Sequence, residues 1–442
     1  MNTRNYYLSF LLVGCSVFML SSCEKDAYDP SKAKVDKTTD LVVPDGFDWA
    51  MTRDVTLSMQ SPVATFVSVY LDEKCEKLVA ELPVEEGKSS MTLTVPSANS
   101  DLWIKYPING GGEETQKIAI QKKAVTRDKG EAPEWTANSL FPDYAENDVS
   151  GNAAVYQPNK TMFGSDFGTI MFEDMWPELG DYDFNDFVIN YKSETTLHYE
   201  GNNSWIIIDM ALKLRAIGGD LPYRFCIQLG GKSNDKMTRP DFKRGEVTLS
   251  DVAITNCEGL GCSVELLPNT ERPIIALTGF DQLKERTGGR FYNTQNLIAN
   301  SAQTPVITFK IKINSSDNWN RFQGLGQEHA FDYFLQNTET GREIHFIGYS
   351  PTELYKGYNS DLGNRGETTY YCSKDKFVWA LKAPVEMGWD VEKTDIVNVY
   401  PEFVQWVKYG GDWLEIGSSV DSNRQWYNRP DKTKGWIDPT QH

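Results

Sequence analysis

Ile307-Thr308-Phe309-Lys310-Ile311-Lys312-Ile313 alternates apolar and polar residues without a break. Successive side chains of an extended chain point to opposite faces, so Ile307, Phe309, Ile311 and Ile313 face one way and Thr308, Lys310 and Lys312 the other. That is a strand with one face in a core and one in water. Tyr223, Phe225, Ile227 and Leu229 alternate in the same way with Arg224, Cys226 and Gln228. Many short β-branched runs and a 12% aromatic content extend the pattern over the chain. The expectation is an all-β protein: a small N-terminal β-sandwich, then a larger antiparallel β-sandwich or jelly-roll-like domain with few short helices.

The smaller module spans residues 43–123. Its strands are Val55 to Met59, Ala64 to Leu71, Met91 to Val95, Leu102 to Tyr106 and Lys117 to Gln121, with Gly-containing turns between them. Residues 124–159 read as a polar, Pro-containing connector, and 160–442 as the larger domain. One late helix is expected. Pro401 suits a first helical position, Phe403, Trp406 and Val407 share a face, and Gly410-Gly411 ends the run.

The start of the chain is an address. Arg4 and the short apolar run Leu8 to Leu20 form a signal peptide over residues 1–22. Leu20-Ser21-Ser22-Cys23 resembles a bacterial lipobox, which implies lipid on Cys23 and a membrane anchor through it. Residues 23–42 form a polar tether. Acidic residues after the cysteine resemble the surface-export signal of Bacteroidetes lipoproteins, so an outer-membrane, surface-exposed position is expected. The formal charge of −18 argues against nucleic acid as a partner. Cys257 and Cys262 flank a Gly-containing spacer that can close a small disulfide loop.

The chemistry concentrates in Glu173-Asp174 and, after Gly180, in Asp181-Tyr182-Asp183-Phe184-Asn185-Asp186. Asp181, Asp183 and Asn185 alternate with aromatics, so a gently turning backbone presents their oxygens together. Hard divalent cations take six to eight such oxygens, and a bound cation removes the repulsion of crowded carboxylates. Glu173, Asp174, Asp181, Asp183, Asn185 and Asp186 are therefore the candidate ligands of a calcium ion. The run is not an EF-hand. Asp186 stands where that loop needs Gly, and Lys192 where it needs a bidentate Glu. The bland reading is a set of Asx turns before a strand.

Phe172-Glu173-Asp174, Gly180 to Asp186 and Tyr191 together resemble the LruC domain of bacterial lipoproteins and secreted proteins. Gly341-Arg342-Glu343-Ile344-His345 with Gly348-Tyr349-Ser350-Pro351-Thr352, and Tyr400 to Trp406 with Gly410-Gly411 and Trp426-Tyr427, fit the same pattern. The resemblance covers nearly the whole mature chain and implies an envelope lipoprotein without assigned catalysis. Ala383-Pro384-Val385-Glu386 departs from the Trp-Pro segment that is usual there.

The expected function is a calcium-stabilised binding or structural module, with a glycan or an envelope protein as possible partner. A carbohydrate-binding reading rests on the Trp-rich C-terminal stretch, with Trp413 and Trp436 the candidate stacking residues. A glycoside-hydrolase reading needs paired carboxylates, one of them kept protonated, which a dense acidic cluster serves poorly. No catalytic residues are assigned. His345 beside Glu343 reads as a satisfied strand histidine.

Overall fold

Phe187–Glu200 and Asn203–Ala216, 14 residues each, form a long hairpin closed by Gly201-Asn202. Gly201 lies at φ +60°, the left-handed backbone that a two-residue hairpin turn requires. On one side Asn203–Ala216 pairs with Val306–Ile313, with Ile206 opposite Ile313 and Met210 opposite Phe309. The alternation read from the sequence sets this register, because a one-residue slip would put Ile307, Phe309, Ile311 and Ile313 in water. All four are buried, each contributing about 1.5–3 kcal/mol of apolar transfer.

The computed structural model describes residues 35–108, 111–123, 134–141, 160–230, 242–315, 317–358, 370–411 and 425–442. Asp36–His442 makes one compact unit. The expected signal peptide, Cys23 and Trp413 lie outside the described residues. The architecture is all-β: several mostly antiparallel sheets with few short helices.

An eleven-stranded sheet runs from Val247–Thr255 through the long hairpin to Lys160–Gly164, then to Leu78–Val84 and out to Glu113–Ala119. Ala80 opposite Phe163 and Glu81 opposite Met162 carry it from the N-terminal module into the larger one. A four-stranded sheet containing Thr52–Ser61 covers the N-terminal part. Leu57, Val67, Leu82, Leu93 and Ile104 fill the space between. Glu134–Leu140, within the expected connector, is a strand parallel to Thr52–Ser61, and Ala137 fixes it to the core. The expected tether also ends in structure. Thr38–Asp40 is a helical turn, and Thr38 donates to Asp395 through its N–H (2.8 Å) and hydroxyl (2.6 Å).

A five-stranded sheet built on Tyr223–Leu229 and Phe331–Asn337 closes the larger sandwich. Phe187 stacks on Phe225 at 5.8 Å, and Tyr191 meets Tyr333 at 5.4 Å. The half-solvated reading of Tyr223–Leu229 is corrected here. Its outer face is buried as well, with Cys226 packed among Leu267, Ile274 and Phe334.

The helix Pro401–Lys408 forms as expected, with Phe403, Trp406 and Val407 buried. It packs against aromatics rather than a sheet edge. Phe47 and Trp49 from the chain start and Trp426 from its end lie 4.9–5.9 Å from Trp406.

Candidate cation site

The acidic run occupies the loop between two paired strands. Gly168–Phe172 ends and Phe187–Glu200 begins at the pair Phe172–Phe187, so residues 173–186 cross the sandwich end as one long connection. Its path is not gently extended. Tyr182 (φ +57°) and Phe184 (φ +49°) are both left-handed, which costs a bulky residue roughly 1–2 kcal/mol. Both rings are buried, at 1% and 0% exposure, and that burial offsets the strain. The alternation turns two amide N–H groups inward onto one anion, as a backbone nest does. Glu173 is that anion. Its carboxylate accepts from Tyr182 N–H (3.2 Å) and Phe184 N–H (2.7 Å). A Cβ on Gly180 would stand 1.8 Å from Glu173 Oε2, so glycine is required for this approach.

Asp174 and Asp186 pin the loop ends. Asp186 accepts from Asp174 N–H (2.7 Å), and Asp174 accepts from Leu221 N–H (3.3 Å). Glu173, Asp181 and Asp183 can bring one oxygen each within 4.8 Å of the others. Asp183 also accepts from Asn185 N–H (3.2 Å) and from Lys393 N–H (2.6 Å). Asn185 is fully buried, and its Nδ2 donates to the Asp390 carbonyl at 3.0 Å.

The charges are costly as they stand. Burial and Asp183 push Glu173 well above the usual carboxylate range. Burial and Asp181 raise Asp183 to about 8. Burial, then Glu173, pushes Asp186 well above the usual carboxylate range. Desolvation favours the neutral form of each, and a neighbouring carboxylate adds to it. A cation would reverse both effects.

Sequence reasoning missed two acids from a segment some two hundred residues later. Asp390 is fully buried, neither of its carboxylate oxygens has a partner among the described residues, and burial with Asp183 raises it strongly. Glu392 Oε2 is also buried and unpartnered, and burial with Asp181 raises Glu392 to about 7. No local pattern marks either residue, because Trp389-Asp390-Val391-Glu392-Lys393 reads as an ordinary strand end.

The remaining expected residues are apart from this loop. Cys257 and Cys262 lie side by side as thiols, with burial raising both. Trp436 is half-buried, its indole N–H donates to the Tyr400 hydroxyl (3.1 Å), and Lys432 stands 4.5 Å over its ring. Trp379, Trp389, Trp406 and Trp426 are core residues. No helix among the described residues is long and apolar enough to cross a membrane.

The fold and this loop define an all-β protein with a buried acidic connection at one sandwich end. Residues 203–416 match a family described as a domain of unknown function, DUF4842. The fold is similar to the crystal structure of a candidate lipoprotein from Bacteroides ovatus. That likeness has a TM-score of 0.59 and 20% identity, and covers 85% of this chain and 99% of the other. A match to the major pilin SpaD of Corynebacterium diphtheriae, with a TM-score of 0.16 and 9% identity over 75% of this chain and 81% of the pilin, carries no argument. No curated protein matches.

Proposed function

We propose that this chain is a lipid-anchored envelope protein whose larger β-domain is a non-catalytic binding or structural module stiffened by calcium. The observation that carries the reading is the Glu173–Asp181–Asp183 group: three carboxylates within 4.8 Å reach, two of them buried, in a loop whose backbone is already bent around Glu173. All the donors are oxygens, the ligand chemistry of calcium rather than of zinc or copper. The leader before Cys23 and the likeness to a candidate lipoprotein support the anchor, and the acidic residues after Cys23 support a position on the outer membrane facing outward. The DUF4842 match falls within residues 160–442, the part that resembles the LruC domain.

Burial speaks against the hydrolase alternative. Glu173 and Asp183 are 0% and 1% exposed, so neither presents a carboxyl to a substrate. Ligand binding has a better place. A cleft of about 620 Å³ between the N-terminal sandwich and the large sheet is lined by Phe163, Phe167, Tyr191 and Tyr427, with Asp166 and Asn428 beside them. Its size suits a small ligand such as a short glycan.

The test is thermal unfolding of the purified chain with calcium and with chelator. A cation at a hundredfold excess over Kd, binding only the folded form, adds about 2.7 kcal/mol. The melting temperature should rise with calcium, and Asp183→Ala should cancel the gain. Indifference of the wild type to calcium would remove the site.

A further inference from the structure

Asp181, Asp183 and Asn185 supply the first half of a calcium loop, and the sequence offers no glutamate at the local position that would complete it. The structure brings one from elsewhere. Asn185 Oδ1 and Glu392 Oε2 both reach the space over Gly218, standing 2.0 and 3.0 Å from where a Cβ on that residue would lie. Neither oxygen has a hydrogen-bond partner among the described residues.

The orientation of the Asn185 amide is fixed. Its Nδ2 donates to the Asp390 carbonyl at 3.0 Å, and a flipped amide would set two carbonyl oxygens against each other there. Oδ1 must therefore face Glu392. Two buried acceptors share one gap with no donor between them, and Asp181 and Asp183 add negative charge within Coulombic reach. Lys393 and Arg290 offset part of the Glu392 charge, but neither partners Oε2.

Glu392 lies outside the 4.8 Å group of Glu173, Asp181 and Asp183. We propose that a hard divalent ion held by Asp181, Asp183 and Asn185 draws Glu392 in as its remote ligand, and so clasps the 181–185 loop to the 390–395 segment. This rests on the reading of the loop as a calcium site. The clasp has consequences beyond its ligands. Lys393 N–H already bonds Asp183, Ile396 N–H bonds the Tyr182 carbonyl (2.8 Å), and Asp395 caps Ile396–Val399 and holds Thr38. Cation binding therefore orders the C-terminal helices and the docking of residue 38, where the chain emerges from its tether. Gly218 belongs to the same device, because any side chain there would fill the gap that the ion occupies.

The experiment is a terbium(III) luminescence titration of the purified full-length chain in detergent, with calcium as competitor, on wild type, Glu392→Gln, Glu392→Asp and Gly218→Ala. Wild type should bind terbium saturably and release it to calcium. Glu392→Gln should weaken binding at least about tenfold, since ligand charge sets affinity in such sites. Its chelator-treated melting temperature should equal or exceed that of wild type, because a repelling charge has gone. A glutamate with a purely structural role would lower that temperature and leave affinity alone. No terbium or calcium binding by wild type overturns both the clasp and the calcium reading. Binding that Glu392→Gln leaves unchanged overturns the clasp alone. If Glu392→Gln does not fold, Gly218→Ala and the shorter Glu392→Asp decide together: affinity lost in both supports the clasp, and affinity unchanged in Glu392→Asp overturns it.

Discussion

Two buried acidic groups in this protein face the same electrostatic problem and meet it differently. Around His345, Asp332 and Glu343 are both 0% exposed. The imidazole sits between them, with Nδ1 at 3.0 Å from both Asp332 oxygens and Nε2 at 3.0 Å from Glu343. Thr352 and Gln336 satisfy the rest of the Glu343 carboxylate. Burial alone would drive His345 neutral, but the two carboxylates outweigh it and raise it to about 9. With both ring nitrogens donating, the chain has supplied its own cation. Around Asp183 the carboxylates are as crowded, yet Asn185, Asp390 and Glu392 leave oxygens without partners among the described residues. One cluster is complete as a polypeptide. The other leaves buried oxygens without donors among the described residues, and that contrast is what supports the proposed ion.

The largest effect should come from removing the internal cation. His345→Leu strands two buried carboxylates and should cost about 3–5 kcal/mol, read as lost melting temperature. Added calcium should not restore it. Restoration by calcium would mean that the two clusters are coupled, and the contrast would fail.

Glu173→Ala comes next. It leaves the Tyr182 and Phe184 N–H groups without their acceptor while both residues stay in left-handed backbone. The expected loss is about 2 kcal/mol or more, together with the calcium-induced gain. A loss of stability with the calcium gain intact would show that Glu173 shapes the loop without being needed for the ion.

The most gradual effect is the pH response of the finished cluster. The folded chain holds a proton on His345 that the unfolded chain releases near pH 6.5. This contribution is fully present below that pH and is lost as pH rises through about 9. Asp332, raised mainly by burial, acts in the same direction. In saturating calcium, stability should fall between pH 7 and 9.5 by about 1.4 kcal/mol per unit for each proton the cluster releases, and replacing the whole group by His345→Leu with Asp332→Asn and Glu343→Gln should flatten this slope. An equal slope in the variant would assign the titration elsewhere.

Much of the fold was legible because alternation is a local signal. Ile307 to Ile313 states its own register, and Pro401 with Phe403, Trp406 and Val407 states a helix and its apolar face. The acidic loop was legible as composition. Its shape was not, since nothing in Tyr182 or Phe184 announces a left-handed backbone. Tyr223–Leu229 misled because alternation shows which residues tolerate water, not whether another segment will cover them. The strand at Glu134–Leu140 was hidden by neighbouring prolines and charges, and its apolar hold on the core is only buried Ala137 and half-buried Trp135.

The sequence by itself determined a β-rich chain and a surplus of oxygen-bearing side chains between Glu173 and Asp186. Only the tertiary structure decided that His345 neutralises one acidic group and that Glu392 turns toward Asn185 in another. Strand patterns are written within a few residues by the geometry of the pleat. Charge compensation acts through space, and its partners can stand two hundred residues apart, where no periodicity connects them.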